Sequence, residues 1–178
     1  EWVDQDLLAR WPEASLSYMR HPSARAQLKA GIDALAGESS LPAVFHCSQG
    51  KDRTGMFAAI VLGGLGVLDT DIAADFQLSA RCFDPGKFRD LLAALAAQGG
   101  EGAELAKRGA RILAQTGAPP AAEAMLTLLE GVRAEYGSMR DYALGIGVDE
   151  ECLATLENAL LVGEAAEPQQ PFGEEKDQ

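Results

Sequence analysis

A cysteine and an arginine lie six positions apart in a glycine-rich stretch, and their side chains suit phosphate chemistry. Cys47 and Arg53 belong to the segment HCSQGKDRTG at residues 46–55. Lys51 and Arg53 supply positive charge, and a thiolate is favoured over a thiol near cations and helix N-termini. We therefore expect the pKa of Cys47 to lie below the value of about 8.5 of a free thiol, which makes Cys47 a candidate nucleophile.

Two apolar runs flank this stretch and predict the elements that position it. Residues 42–45 precede it and residues 56–62 follow it, a pattern that predicts a buried strand, a tight loop and a helix. The first turn of a helix carries unpaired N–H groups and a partial positive charge. Gly50 and Gly55 are predicted to adopt positive φ and to let the backbone approach a ligand. The sequence thus predicts an anion-binding loop at a helix N-terminus.

The string HCSQGKDRTG resembles the signature of the protein tyrosine phosphatase superfamily, a cysteine followed by five residues and an arginine. Its GKDRTG ending is most similar to a bacterial branch of tyrosine and lipid phosphatases with broad substrate range. The string EYGSMRDYALGIGVDEE at residues 135–151 resembles the helix, turn and helix that close the same branch. The alternative is a plain turn that contains a small buried cysteine.

The resemblance implies an α/β fold in which a central sheet flanked by helices presents the loop. Residues 1–163 are predicted to form the C-terminal portion of a phosphatase domain, dominated by helices. Residues 42–45 form the one convincing strand, yet a buried strand must pair its backbone groups with neighbours. Several strands precede the loop in the family. We therefore expect that this chain lacks an N-terminal part of the domain, or that another chain segment supplies the missing strands.

The resemblance also implies roles for the loop residues. Cys47 is the expected nucleophile, and Arg53 is expected to hold two phosphate oxygens. The His46 ring is expected to hydrogen-bond into the loop and help keep the thiolate, and the Thr54 hydroxyl to hydrogen-bond to the departing thiolate. A core histidine and a helix N-cap are the alternative interpretations of these two residues. The expected phosphate-binding residues are Ser48, Gln49, Gly50, Lys51, Asp52 and Arg53.

Two carboxylic acids are candidates for the proton donor that a leaving alkoxide or phenolate requires. Asp52 is the first, because relatives with Asp beside the signature arginine, including the myotubularin lipid phosphatases, are thought to use that position. The alternative role of Asp52 is to orient Arg53. Glu13 is the second candidate, because Trp11-Pro12-Glu13 resembles the mobile Trp-Pro-Asp acid loop of tyrosine phosphatases.

The predicted reaction is the hydrolysis of phosphomonoesters through a phosphocysteine. No cofactor is expected, and no metal, because no cluster of His, Cys or acidic residues has ligand spacing. The expected substrates are phosphotyrosine proteins, with phosphoserine, phosphothreonine or phosphoinositides as further possibilities because Lys51 adds a cation to the loop. The alternative functions are a phosphate-binding pseudophosphatase or scaffold without turnover and, as a third interpretation, a structural helical module.

Composition and charge narrow the classes of partner. A chain of 178 residues with 47% apolar and 24% charged residues suits one globular domain. The net charge of −12 argues against nucleic acid as a partner and against steady docking on anionic membranes. No run approaches the length of a membrane span and no leader is visible. The three widely spaced cysteines argue against a disulfide framework and favour the cytoplasm, although secretion with free thiols is compatible.

Helices are predicted for most of the remaining chain. The stretch from Thr54 to about Leu65 is predicted to be one of them, residues 1–20 a loop or short helix, and residues 100–102 a linker. Residues 164–178 contain five acidic residues and one lysine and predict a disordered tail. The start and stop signals of the helices are Pro22, Gly37, Asp69, Asp84 with Pro85, Pro119 with Pro120, Gly137, Ser138 with Asp141, and Asp149.

Overall fold

The computed structural model describes residues 5–82, 84–116 and 121–161, with the backbone alone described for residues 5–9, 85 and 111–116. These residues form α-helices and no β-strand. The chain is therefore dominated by helices, as predicted, while the central sheet of the predicted α/β fold has no counterpart in the described part. The helices are α1 (Gln5–Arg20), α2 (Pro22–Leu35), α3 (Asp52–Gly64), α4 (Asp69–Cys82), α5 (Pro85–Ala97), α6 (Gly100–Thr116), α7 (Ala122–Tyr136), α8 (Met139–Gly145) and α9 (Glu150–Leu160).

Helix α3, which begins at the end of the loop, lies in the centre of the hydrophobic core. Its buried side chains are Met56, Ala59, Ile60 and Val61. It packs against α4 and α8, and α7 packs in turn against α1, α4 and α8. A helix that is apolar on nearly all sides must be buried, so this position follows from the sequence. The core therefore fixes the direction in which the N-terminus of α3 points.

The junction of α7 and α8 confirms the predicted stop and cap. Gly137 ends α7 with φ of 95°, a conformation that favours glycine. The Ser138 hydroxyl oxygen accepts a hydrogen bond from the Asp141 amide at 2.9 Å. Tyr142 is fully buried, and its hydroxyl donates to the Met19 carbonyl at 2.9 Å, which joins α8 to α1. Burial raises the pKa of Tyr142 to about 12.

Arg140 connects α8 to two other helices. Its Nη1 donates to the Gly64 carbonyl at 2.8 Å, at the C-terminal end of α3, and to Glu157 at 3.0 Å. Its Nη2 donates to Glu150 at 2.5 Å, at the start of α9. The segment at residues 135–151 thus holds the C-terminal helices against the helix that carries the loop.

Two boundaries differ from the predictions. Residues 5–20 form a continuous helix although their apolar positions show no clean period, because Trp11, Leu16 and Met19 pack into the core. Residues 100–102 were predicted as a linker but form the first turn of α6. Helix α6 packs against α5, and this tertiary contact compensates for the low helix propensity of the glycines.

The predicted caps of α5 and α9 are confirmed. The Asp84 carboxylate accepts from the amides of Gly86 and Lys87, and the Asp149 carboxylate accepts from the Cys152 amide at 2.7 Å. The helix start predicted at Pro119 and Pro120 and the tail predicted at residues 164–178 lie outside the described residues. Within the described residues, no helix combines the length and the apolar character needed to cross a membrane.

The segment that precedes the loop departs furthest from the prediction. Residues 41–46 form no strand among the described residues, and Val44 is 94% exposed. Phe45 is 40% exposed and keeps one contact with the core, an edge-to-face contact with Phe57 of α3 at 4.8 Å between ring centroids. The prediction of a buried strand is therefore wrong for this part of the chain. No other described segment is a strand that could pair with its backbone.

Candidate active site

The loop between residues 47 and 51 leads directly into the first turn of α3. Gly50 has a φ of 65°, the positive value that the sequence predicts, and nothing lies within 4 Å of a Cβ at this position. Gly55 has another role: it lies within α3, where a Cβ would collide with the ring of Phe76 of α4. The prediction of positive φ at Gly55 is wrong, because the glycine serves the close packing of α4 against α3.

Cys47 lies partly buried at the start of the loop. Its amide donates to the Thr54 hydroxyl oxygen at 2.8 Å, across the loop. Burial opposes ionisation of the thiol, but hydrogen bonds from the Thr54 hydroxyl and from the amides of Thr54, Gln49 and Lys51 together outweigh it and lower the pKa of Cys47 to about 6. The loop therefore stabilises a thiolate, which is the nucleophilic form of cysteine.

Cys152 shows that a helix N-terminus alone does not produce this effect. It also lies in the first turn of a helix, α9, but burial and the nearby carboxylates of Asp33 and Asp149 raise the pKa of its thiol. All three cysteines of the chain are free thiols. A low pKa is therefore a property of the loop around Cys47.

The histidine before the cysteine contacts the loop backbone. The Nδ1 atom of His46 lies 2.8 Å from the Cys47 carbonyl oxygen, and the ring is exposed. An exposed ring is not a core histidine, so that alternative is wrong. Arg53 is also exposed and occupies the first turn of α3, next to Thr54.

Lys51 and Asp52 form a partly buried charged pair behind the loop. Lys51 is only 3% exposed, and its Nζ lies 3.7 Å from Asp52 Oδ1. Burial lowers the pKa of Lys51, an effect that the negative charges of Asp52 and Cys47 oppose. Burial raises the pKa of Asp52, an effect that Lys51 and then the Trp11 indole oppose. A raised pKa keeps a carboxyl group protonated closer to neutral pH, as a proton donor requires.

The Trp11-Pro12-Glu13 segment lies inside α1 and is not a loop. Trp11 stacks on Phe76 with ring centroids 4.8 Å apart and an interplanar angle of 26°. Glu13 is exposed. Because it lies about 200° around the helix from Trp11, it points away from the face of α1 that packs on Phe76. The structure therefore brings Asp52 to the loop and leaves Glu13 outside it.

An open cleft of about 500 Å³ exposes the loop to solvent. Residues 46–50 form one side, and Lys87, Phe88 and Leu91 of α5 form the other, with Cys82 at the end of α4. These α5 residues were not predicted from the sequence to belong to the site. The apolar spacing of α5 predicts one face of a helix, but it does not indicate that this face lies opposite the loop. Among the described residues, no group of His, Cys, Asp or Glu side chains is arranged to hold a metal ion.

Comparison with known proteins identifies the family. A family model described as the tyrosine phosphatase family matches residues 5–162. A tyrosine-protein phosphatase of Nostoc commune is 27% identical over 153 residues, which cover 83% of this chain and 48% of the relative, so the chain spans about half of that protein's length. No solved structure matches the chain at a significant level. Because the family model covers the loop and all the described helices, the chain belongs to the tyrosine phosphatase family.

Proposed function

We propose that the chain is the catalytic part of a cysteine-dependent phosphatase that hydrolyses phosphomonoesters through a phosphocysteine. The observation that carries the proposal is the thiol of Cys47, whose pKa is lowered to about 6 by the Thr54 hydroxyl and the loop amides despite its burial. A group with this pKa is mostly a thiolate at neutral pH. The same amides surround the place that a phosphate dianion would occupy at the N-terminus of α3.

In the first step, the Cys47 thiolate attacks phosphorus in line with the leaving oxygen. The S–P bond forms as the bond from phosphorus to the leaving oxygen breaks, and the Asp52 carboxyl group donates a proton to that oxygen. Arg53 then holds two of the three equatorial oxygens, on which negative charge spreads in the transition state. Its exposed position in the first turn of α3 leaves the guanidinium free to rotate toward a bound phosphate.

In the second step, water attacks phosphorus and displaces the Cys47 thiolate. The Asp52 carboxylate takes the proton of the attacking water, so that Asp52 returns to its protonated state and phosphate leaves. The Thr54 hydroxyl stabilises the Cys47 thiolate as the S–P bond breaks, since it hydrogen-bonds to the sulfur in the resting loop. Both steps use residues of the loop and require nothing from Glu13.

The walls of the cleft favour an aromatic leaving group. Phe88 and Leu91 present apolar surface opposite Cys47, where the ring of a phosphotyrosine would rest. Phosphoinositides were expected as substrates because Lys51 adds a cation to the loop. Lys51 is buried and paired with Asp52, so its charge acts within the loop and not on a second phosphate. We therefore propose phosphotyrosine in proteins as the substrate.

The exposed segment before the loop supports a proposal about the scaffold. Val44 is almost fully exposed although it lies three residues from Cys47, and the segment is not part of a sheet among the described residues. Exposed apolar side chains in a segment without secondary structure are suited to pairing with further strands. We propose that strands from outside the described residues pair with residues 42–46 and hold Cys47 in place.

Replacement of Cys47 by Ser tests the proposed chemistry. We expect the Cys47→Ser variant to lose steady hydrolysis of a phosphotyrosine peptide while it keeps phosphate binding. Cys152→Ser is the matched control, because this thiol lies on α9 with a raised pKa, and it should retain full turnover. Undiminished turnover by Cys47→Ser would refute the mechanism. A wild-type chain whose Cys47 reacts rapidly with iodoacetate, and which is protected by vanadate but shows no turnover, would instead support the pseudophosphatase.

A further inference from the structure

The indole nitrogen of Trp11 is a buried donor that the proposed chemistry leaves unused. Nε1 is shielded from solvent and makes no hydrogen bond with any of the described residues. A buried N–H group without an acceptor destabilises the folded state, because it has given up its hydrogen bond to water. Such a group in a native structure calls for a physical explanation, and one explanation is an acceptor that becomes available in another state of the molecule.

The Asp52 carboxyl group is the candidate acceptor, because Asp52 begins the helix onto whose first turn Trp11 is packed. Burial raises the pKa of Asp52 and the Trp11 indole opposes this effect, although Nε1 makes no hydrogen bond with any of the described residues. Two charged groups belong to the elements packed near Asp52. The Lys51 ammonium group of the loop lies 3.7 Å from Asp52, and Asp75 of α4 lines the same groove as Lys51. The indole N–H of Trp11 is the donor that α1 supplies. Because the indole is neutral, it can donate a hydrogen bond to the Asp52 carboxylate without a change in its own charge.

The packing of three helices fixes the orientation of this donor. Trp11 stacks on Phe76 of α4, and the Phe76 ring lies against Gly55 in the first turns of α3. Because Gly55 has no side chain, the Phe76 ring can lie close to the backbone of α3. The stack therefore packs Trp11, through the Phe76 ring, onto the first turn of α3, and that turn contains both Gly55 and Asp52.

We infer that Trp11 is a positioning residue whose indole N–H donates a hydrogen bond to the Asp52 carboxylate once Asp52 has given its proton to the leaving oxygen. This inference rests on the proposed function. The hydrogen bond holds the carboxylate in place between the two steps, until it takes a proton from the attacking water. The segment that resembles a mobile acid loop thus acts from a fixed helix, through its tryptophan and not through its acid.

A Trp11→Phe variant tests the inference, because phenylalanine keeps a ring for the stack and removes the N–H group. Loss of a donor destabilises the carboxylate, so the pKa of Asp52 should rise. Activity that requires protonated Asp52 falls at high pH, and we expect this alkaline limb of the kcat profile to move to higher pH in the variant. Tyr142→Phe is the matched control, since it removes another buried donor that contacts α1, at the Met19 carbonyl, and leaves the stack and the indole N–H in place.

A second readout does not depend on turnover. The Asp52 carboxyl carbon is titrated by 13C NMR in the Cys47→Ser background and assigned by comparison with Asp52→Asn. We expect a higher titration midpoint with Trp11→Phe and an unchanged midpoint with Tyr142→Phe. An unchanged midpoint with Trp11→Phe, as when a water molecule is the partner of the indole, would overturn the inference. Absence of turnover in the wild-type chain would refute the proposed function, while the NMR midpoints would still decide whether Trp11 and Asp52 interact.

Discussion

Replacement of Thr54 by Val measures how much one hydroxyl group lowers the pKa of Cys47. The hydroxyl accepts a hydrogen bond from the Cys47 amide at 2.8 Å and also hydrogen-bonds to the thiolate, which helps to lower the pKa of Cys47 to about 6. Valine has nearly the same shape and fills the same space. Its substitution therefore removes the hydrogen bonds with little change in packing, and the thiol should become harder to ionise.

The size of the effect follows from the strength of a hydrogen bond to a charged group. Such bonds contribute about 1.5–3 kcal/mol, which corresponds to about one to two pKa units. Because Cys47 is only partly buried, solvent screening favours the lower end, and we expect the pKa to rise by about one unit. At pH 6 the ionised fraction would fall from about a half to about a tenth, so that thiolate reactions would slow about fivefold.

The rate of alkylation of Cys47 by iodoacetamide, measured from pH 4.5 to 9 by peptide mass spectrometry, reports the thiolate fraction directly. Wild-type Cys47 should show a midpoint near pH 6, far below that of Cys152 in the same sample. Thr54→Ser retains the hydroxyl and is the matched control, with a midpoint expected close to the wild type. An unchanged midpoint in Thr54→Val, or an equal shift in Thr54→Ser, would refute the assignment of this hydroxyl.

Two further predictions concern the scaffold of the loop. Gly55→Ala should lower the free energy of unfolding, because about 1–3 kcal/mol of overpacking against Phe76 exceeds the gain of about 1 kcal/mol in helix propensity. Urea denaturation measures the change, and Gly145→Ala is the control, because a Cβ there meets only Arg25 Nη2 at 3.9 Å, an ordinary contact. A stability of Gly55→Ala at or above wild type would contradict the packing. In the intact protein, the amides of Val44 and Phe45 should resist hydrogen exchange, and rapid exchange there would contradict the proposed strand pairing.

The loop and the helices were largely predictable from the sequence, because their signals are local. The loop before α3 follows from Gly50 and the apolar helix after it. The caps at Ser138 and Asp149 follow from side chains that accept hydrogen bonds from amides three residues on. Such signals involve residues close in sequence. They require no knowledge of the rest of the fold.

The features that the sequence analysis missed depend on contacts between distant residues. Gly55 was predicted to serve a turn, but its absent side chain accommodates Phe76, and no local pattern indicates that ring. Trp11 was interpreted through its neighbour Glu13, whereas in the structure its ring stacks on Phe76 of α4. The strand at residues 42–45 was predicted from its apolar residues alone, and apolar character does not distinguish a buried strand from one that lacks its neighbours.

The central claim is that Cys47 becomes covalently bound to phosphorus, and trapping the intermediate tests it most directly. An aryl phosphate with a good leaving group needs little help from an acid, so Asp52→Asn should form the phosphocysteine and then hydrolyse it slowly. We predict that rapid quenching of this variant during turnover yields a phosphoryl group on the peptide that carries Cys47. A quenched enzyme that turns over substrate but carries no phosphoryl group on Cys47, or carries it on another residue, would contradict the account.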